Sequence, residues 1–438
     1  MTAIPATLRI PRVRWGIGVL LGAGVLINYF DRINLSVGAP QLQQEFGLTD
    51  GQLGWLFSGF FWSYALLQIP SGMILDRFGV TAVYRISSFL WSLTSAMTAL
   101  AGGFGGVLAA RLLLGVAEGP GFPASAKATG YWFPRGERAM ATSIFDAAAK
   151  FANVIGVPLV ALAVVQFGWR WGFGITGMLS LLYFLAFLIV YRDPSRHPRL
   201  SSAERDYIRA GGATREGPAE SGEVAMLGYL LRNRKVWGLT IGFSAYGYSF
   251  YLFLTWLPNY LQAERGMSML KSGALMALPF LGAVILTTLI GKLSDTLLTE
   301  ETIRTGGRRR MAALSMLGGS LILLTPLVGN VYVILFLIMI ALSGVASTVA
   351  MNIALVSDLL RSSADAGRAT GLLILGGNIF GILAPIVTGY VIQTTGNFDY
   401  AFVVAGGLLV IGALAVFMLA RKPIGSPAAE ISLSARAV

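Results

Sequence analysis

The chain runs to 438 residues, 55% of them apolar and 12% charged, with no cysteine, one histidine and a formal net charge of +12. Soluble domains carry about 25% charged residues, so this composition excludes an ordinary soluble enzyme or binding module. Without cysteine there are no disulfides, thiolate metal sites or cysteine nucleophiles, and the lone His197, beside Pro198 in a polar loop, is a poor metal ligand.

Apolar runs of about twenty residues, enough to cross a bilayer, recur near 15–38, 53–75, 82–101, 106–131, 138–165, 171–191, 236–262, 270–291, 311–328, 331–356, 367–392 and 399–420. They predict an all-α membrane protein of twelve transmembrane helices. Residues 1–191 form one six-helix half, 192–235 a cytoplasmic connector, and 236–438 a second six-helix half with a short tail. With the N-terminus inside, 26 of the 33 Lys and Arg fall in cytoplasmic segments and only Arg170, Arg265 and Lys271 fall outside. That is the positive-inside distribution, with both termini cytoplasmic. The same excess, spread over seven short segments, makes no nucleic-acid patch. The first apolar stretch continues into charged, spanning sequence and shows no cleavable signal. Arginine outnumbers lysine 27 to 6 in an Ala- and Gly-rich chain, which points to a bacterial source and hence to a bacterial inner membrane.

The first span holds Asn28-Tyr29-Phe30-Asp31-Arg32 near its middle. A charge at that depth costs about 2.5–3.5 kcal/mol on insertion scales and normally faces a protein interior or a water-filled cavity. Neighbours on a helix point about 100° apart, so Asp31 and Arg32 cannot neutralise each other well and each needs another partner. We read them as a proton-coupling acid and an anion-binding base. An external loop without Lys or Arg is expected over Pro40–Gln52. The second span ends in Gly72-Met-Ile-Leu-Asp76-Arg77-Phe-Gly79. There Gly72 permits close helix approach, and Asp76 can take a neighbouring helix's N–H dipole or an arginine, latching one conformation.

The fourth span carries Arg111 and Glu118, two turns apart on one face but about 10 Å apart along the axis, too far for a direct pair. Pro120 and Pro123 leave the carbonyls of Val116 and Gly119 without helical partners, so the helix must bend beside Glu118. An acid among free carbonyls can take a proton while its cation is engaged elsewhere and release it later. Lys127 is expected to snorkel to the cytoplasmic interface. On the fifth span Asp146 precedes Lys150 by four residues, the favourable intrahelical order; the two are either a self-neutralised pair or part of a substrate site.

The seven charges that lie away from the span ends, Asp31, Arg32, Arg111, Glu118, Lys127, Asp146 and Lys150, are all in the first half. Facing lipid they would cost roughly 20 kcal/mol together, so they are expected to line a shared cavity. The second-half spans offer Tyr251, Trp256, Asn352, Ser357 and Asn378 instead. Tyr29, Tyr64, Tyr251 and Trp256 can stack on or hydrogen-bond a polyol, although such aromatics more often simply pack. Asn378 follows Gly376-Gly377, where backbones can come close. In the connector, Ser201-Ser-Ala-Glu204 is a capping-box pattern opening a helix to Arg209. Ala210–Glu223 reads as flexible linker, and Val224–Lys235 as an amphipathic helix on the cytoplasmic surface.

The Gly72–Gly79 pattern resembles the loop between helices 2 and 3 of the major facilitator superfamily. Degraded echoes follow in the second half, at Gly291-Lys-Leu-Ser-Asp295, and at Gly367-Arg368-Ala-Thr370 against Glu137-Arg138-Ala-Met-Ala-Thr142. Internal repeats of this kind serve alternating access. Further motifs resemble the anion:cation symporter branch: Asn28–Arg32, Arg111-Leu-Leu-Leu-Gly-Val-Ala-Glu118, Tyr131-Trp-Phe-Pro-Arg-Gly-Glu-Arg138, Phe253-Leu-Thr-Trp-Leu-Pro258 and Gly377-Asn378. Bacterial members of that branch import sugar acids such as galactonate, glucarate and hexuronates, or aromatic and small carboxylates, with protons; eukaryotic ones carry sialic acid or glutamate. The resemblance implies proton coupling at Asp31 and Glu118, carboxylate binding at Arg32, and site roles for Tyr64 and Asn378. It is broken at Asp146-Ala-Ala-Ala-Lys150, where sugar-acid members usually carry neutral polar residues, and Lys150 could there meet a second carboxylate.

The expected protein is therefore a proton-coupled importer of small organic anions, a monomer in membrane lipid with the proton as coupling ion and no other cofactor. A drug or metabolite exporter of the same fold is the main rival, disfavoured because the glycine-rich antiporter motif is absent around Gly156-Val-Pro158. An intramembrane enzyme is disfavoured because no Walker loop, H-E-x-x-H or G-x-S-x-G motif occurs.

Overall fold

The computed structural model describes residues 12–214, 227–359 and 363–421. In chain order the helices are α1 (Val13–Phe46), α2 (Asp50–Ala99), α3 (Phe104–Glu118), α4 (Gly121–Trp132), α5 (Arg138–Phe167), α6 (Trp169–Val190), α7 (Ser202–Ala210), α8 (Leu227–Arg232), α9 (Arg234–Asn259), α10 (Met269–Leu297), α11 (Glu300–Arg304), α12 (Gly307–Gly319), α13 (Val331–Leu359), α14 (Ser363–Thr395) and α15 (Asp399–Leu419). Eight helical stretches are long and apolar enough to cross a membrane on length and composition alone. The other four expected spans are helical too. Two share α2, which breaks at Gly79 (φ 76°), a third is α3 with α4, and the fourth is α9 with its continuation Tyr260–Glu264. Large apolar side chains such as Leu66, Ile189 and Leu327 stand exposed, as lipid permits and water does not.

The break predicted beside Glu118 is present. α3 ends at Glu118, and α4 restarts after Pro120, whose carbonyl accepts the Ala124 amide at 2.8 Å. The external loop is shorter than expected. α1 runs through Pro40 to Phe46, Gly47 turns the chain at φ 62°, and α2 begins at Asp50. A reciprocal cap makes so tight a turn possible: the Thr49 amide donates to Gln52 Oε1 at 3.0 Å and the Gln52 amide to Thr49 Oγ1 at 3.2 Å.

The chain clusters into two compact units, both discontinuous in sequence. The first joins 1–34, 62–156 and 166–221. The second joins 35–61, 157–165 and 222–438.

Within the first unit the connector is fastened to the start of α1. Ser201 caps α7 by accepting the Glu204 amide at 3.2 Å. The Glu204 carboxylate does not return to its own helix, as a capping box would have it. Fully buried, it accepts the Val13 and Arg14 amides, both at 3.2 Å, and Arg14 Nη1 at 3.0 Å. It thereby caps a membrane helix from outside and meets the positive end of its dipole. Arg14 also grips Glu137, with Nε to Oε2 at 2.7 Å, and Tyr207 donates to Glu137 at 2.8 Å. The Arg14 hydrogen bond holds the Glu137 carboxyl below its ordinary value.

In the second unit α9 packs on α14 and α15 around Val236, Leu239, Phe243, Leu373, Leu409 and Val416. Gly376 and Gly377 allow this: a Cβ on them would stand 2.6 Å from Thr240 and 2.7 Å from the Phe243 ring. The α1–α2 hairpin tip also belongs to this unit and is clasped by α14. The Gly51 amide donates to Gln393 Oε1 at 3.0 Å, and Ser58 Oγ to the Ile382 carbonyl at 2.7 Å. Of the expected amphipathic helix 224–235 the described residues show Leu227–Arg232, which stops short of Lys235 because Asn233 caps α9 and Lys235 already lies in its first turn. Residues 215–226, including most of the expected linker, lie outside the described residues.

Candidate functional site

The charged cluster forms inside the first unit. α1 supplies Tyr29, Asp31 and Arg32, α2 supplies Tyr64 and Ser95, α3 supplies Arg111 and Glu118, and α6 supplies Thr176 and Ser180. Asp31 and Arg32 do find separate partners, as their angular separation demands. Arg32 reaches Glu118, with Nε and Nη2 donating to the same oxygen, Oε2, at 3.2 and 3.0 Å. The Glu118 side chain is fully buried and that of Arg32 is 10% exposed. The Tyr29 and Tyr64 rings flank the guanidinium, each centroid 4.9 Å from its carbon, a geometry that attracts a cation most strongly when water is excluded. Glu118 Oε1 is buried without a hydrogen-bond partner. A buried carboxylate oxygen left in that condition is costly, and a proton or an incoming hydroxyl would relieve it.

Asp31 is completely buried and faces other groups. The Ser95 hydroxyl donates to Oδ1, and Ser180 donates to Oδ2 at 3.1 Å. Thr176 Oγ1 lies 3.3 Å from the Ser95 hydroxyl and accepts the Asn34 amide at 2.6 Å. Arg111, also buried, donates from Nη1 to the Asp31 main-chain carbonyl at 3.3 Å. Sequence reasoning missed Ser95, Thr176 and Ser180, because single hydroxyls in apolar helices carry no pattern that separates a partner of Asp31 from a residue bonded to its own helix.

The remaining expected residues divide. Among the described residues Asp76 pairs with neither a helix dipole nor an arginine. Its partner is Lys127, which also donates to the Leu75 carbonyl at 3.2 Å. Lys127 thus spends its charge on a carboxylate at the adjacent helix end. Gly72 has open space where a Cβ would stand, so the close approach expected there is not made. Arg77 is exposed, its guanidinium 5.3 Å from the Phe78 centroid. Lys150 is exposed on α5, although Asn153 and Val157, three and seven residues on along its stripe, are buried. The Asp146 side chain lies outside the described residues.

In the second unit Tyr251 packs edge-on against Phe61, centroids 4.3 Å apart. Trp256 is 1% exposed and donates its indole N–H to the Pro385 carbonyl at 3.1 Å, so its polar handle is already used. Asn378 is half-buried on α14.

A buried ion pair between aromatic rings, set on helices long and apolar enough to cross a membrane, marks a multi-pass membrane protein with a charged interior. Comparison with known proteins places it further. The family model for the Major Facilitator Superfamily matches residues 21–306 and 273–436, and the chain belongs to that family. It is 39% identical to an uncharacterized transporter of Bacillus subtilis, over 91% of this chain and 92% of the relative. It is 34% identical to a probable sulfoacetate transporter of Cupriavidus necator, over 89% and 90%. With a probable galactarate/D-glucarate transporter of Escherichia coli it shares 32%, over 93% of each. The fold matches a bacterial homolog of the human lysosomal transporter Spinster in an inward-facing and occupied conformation, with TM-score 0.74, 19% identity, and coverage of 95% and 99%. It also matches a D-xylose-proton symporter, with TM-score 0.67, 15% identity, and coverage of 92% and 97%. The chain is a transporter and not an enzyme.

Proposed function

We propose that the chain imports small organic anions, sugar acids and related carboxylates, together with protons across a bacterial inner membrane, with both termini cytoplasmic. The observation that carries this reading is the Arg32–Glu118 pair between Tyr29 and Tyr64. A substrate carboxylate needs the guanidinium N–H groups that Glu118 Oε2 now takes. Removing one partner of a buried pair leaves a charge uncompensated, at a cost of about 3–5 kcal/mol. Glu118 therefore leaves Arg32 readily only if it is protonated as the substrate arrives, and substrate and proton enter together. Asp31, held apart by Ser95 and Ser180, is the second proton site. Neutralising the cluster favours the conformer closed around the cargo, and binding couples to movement only through such a preference.

The substrate class rests on chemistry. Galactarate, D-glucarate and sulfoacetate, carried by relatives according to their names, each bear two anionic groups. Arg32 can meet one and Lys150 the other; Tyr64 can serve the hydroxyls. Proteoliposome uptake of labelled D-glucarate tests this. Arg32→Gln is expected to abolish binding. Glu118→Gln is expected to keep exchange of internal for external substrate but lose accumulation driven by a proton gradient. Lys150→Gln is expected to weaken D-glucarate uptake about tenfold and spare D-galactonate. Full gradient-driven accumulation by Glu118→Gln would sink the coupling, and expulsion rather than uptake would favour an exporter.

A further inference from the structure

Arg32 takes only one oxygen of Glu118, and the other, Oε1, is buried without a partner. A second orphan sits one turn back along α1. Asn28 is 6% exposed, and its amide nitrogen Nδ2 is buried and makes no hydrogen bond. A buried N–H without an acceptor and a buried carboxylate oxygen without a donor are both costly. Each could relieve the other, so their separation in this conformer needs a reason.

Helix geometry brings the two residues together. Asn28 precedes Arg32 by four residues and so shares its face of α1. On the facing chain the order is reversed: Arg32 meets Glu118, and Asn28 meets Gly121, three residues further on. A Cβ on Gly121 would stand 3.6 Å from Asn28 Oδ1 and 3.6 Å from the Tyr84 ring. The Asn28 carboxamide therefore lies against the break that follows Glu118.

Arg32 and Asn28 suit different protonation states of one side chain. A guanidinium offers only donors, which match a carboxylate. A carboxamide offers a donor and an acceptor on one planar group. A carboxylate would meet Nδ2 with one oxygen but press the other against Oδ1. A protonated carboxyl, with one donor and one acceptor, satisfies both. We propose that Asn28 is a positioning residue for proton coupling, which holds Glu118 in its protonated form once Arg32 has turned to the substrate. Oε1 then accepts from Nδ2, and Oε2, freed by Arg32 and carrying the proton, donates to Oδ1. This role rests on the symport reading above and gives the released carboxyl a place to go. Among the described residues, the charged groups acting on Glu118 are Arg32 and Asp31 from α1 and Arg111 from α3, with the Tyr84 phenol from α2. On losing its proton Glu118 returns to Arg32, and the substrate is expelled from the guanidinium.

The experiment uses the full chain in nanodiscs. It follows D-glucarate binding against pH, together with infrared difference spectra taken as D-glucarate is added. In the wild type D-glucarate should raise the C=O band of a protonated carboxyl, missing in Glu118→Gln. Asn28→Leu should move that band to the higher frequency of a carboxyl without hydrogen bonds. It should also weaken binding about tenfold at neutral pH, as the loss of a hydrogen-bonded pair would. At mildly acid pH, where protons in excess replace the lost support, affinity should recover. Asn28→Gln, which keeps the carboxamide, should restore both in part, and thermal melting should show both variants folded. A band unmoved by Asn28→Leu would overturn the role of Asn28 and leave symport standing. So would an affinity loss equal at every pH, which would make Asn28 a substrate contact. No binding in the wild type, or binding without the Glu118 band, would overturn the symport reading and the role of Asn28 with it.

Discussion

Two carboxylates that the sequence places 87 residues apart take opposite surroundings. Glu118 answers to a cation, Arg32, for which a substrate anion can compete; Asp31 answers to neutral hydroxyls that no substrate anion displaces. Hydrogen bonds to an ionised group contribute about 1.5–3 kcal/mol each, so in the proposed coupling Ser95 and Ser180 would set how readily Asp31 exchanges its proton. Ser95→Ala combined with Ser180→Ala is expected to slow gradient-driven uptake about tenfold, leave substrate exchange near normal, and recover with Ser95→Thr. Equal losses in uptake and exchange would reduce the two serines to packing residues. The need of Asp31 and Arg32 for separate partners was legible in the sequence, because helix geometry fixes the angle between neighbours. The partners were not, since they come from α2, α3 and α6 and only tertiary packing brings them to α1.

Two helix ends are held by contacts that no local pattern announces. Glu204 reads locally as a capping-box residue of α7, yet its carboxylate caps α1 some 190 residues earlier in the chain. Glu204→Gln should lower stability by about 1–3 kcal/mol, seen as a lower melting temperature in detergent, because Arg14 keeps Glu137 but loses a buried countercharge. An unchanged melting temperature would mean that the amides of Val13 and Arg14 find another acceptor. Glu137 contributes its stabilisation above its unfolded value of about 4.3 and loses it as pH falls through its lower folded value, so this fastening holds throughout the neutral range. At the hairpin tip, a Cβ on Gly54 would stand 2.5 Å from the Pro385 carbonyl and 3.1 Å from Ile386 Cα, main-chain atoms that cannot yield cheaply. Gly54→Leu should therefore open the clasp. In this cysteine-free chain, Ser58→Cys, now fully buried, should react with a maleimide several-fold faster in the Gly54→Leu background. Unchanged labelling would show that the clasp opens and closes without regard to Gly54.

Over the whole molecule, the fold class was legible because hydropathy and the distribution of lysine and arginine report directly on the bilayer. Boundaries were less so: Pro40 suggested a loop where α1 continues, and the Thr49–Gln52 cap that shortens the turn has no apolar signature. Membership of the Major Facilitator Superfamily gives alternating access as the frame, and the arrangement of Arg32 and Glu118 specifies how a proton and an anion could share one cycle. The most direct measurement records labelled D-glucarate and proton entry together in proteoliposomes carrying no membrane potential. Proton-coupled import predicts that each addition of D-glucarate acidifies the lumen in fixed ratio to the substrate taken up, and that Glu118→Gln breaks the ratio while substrate still exchanges. D-glucarate entry with no accompanying acidification in the wild type would contradict it.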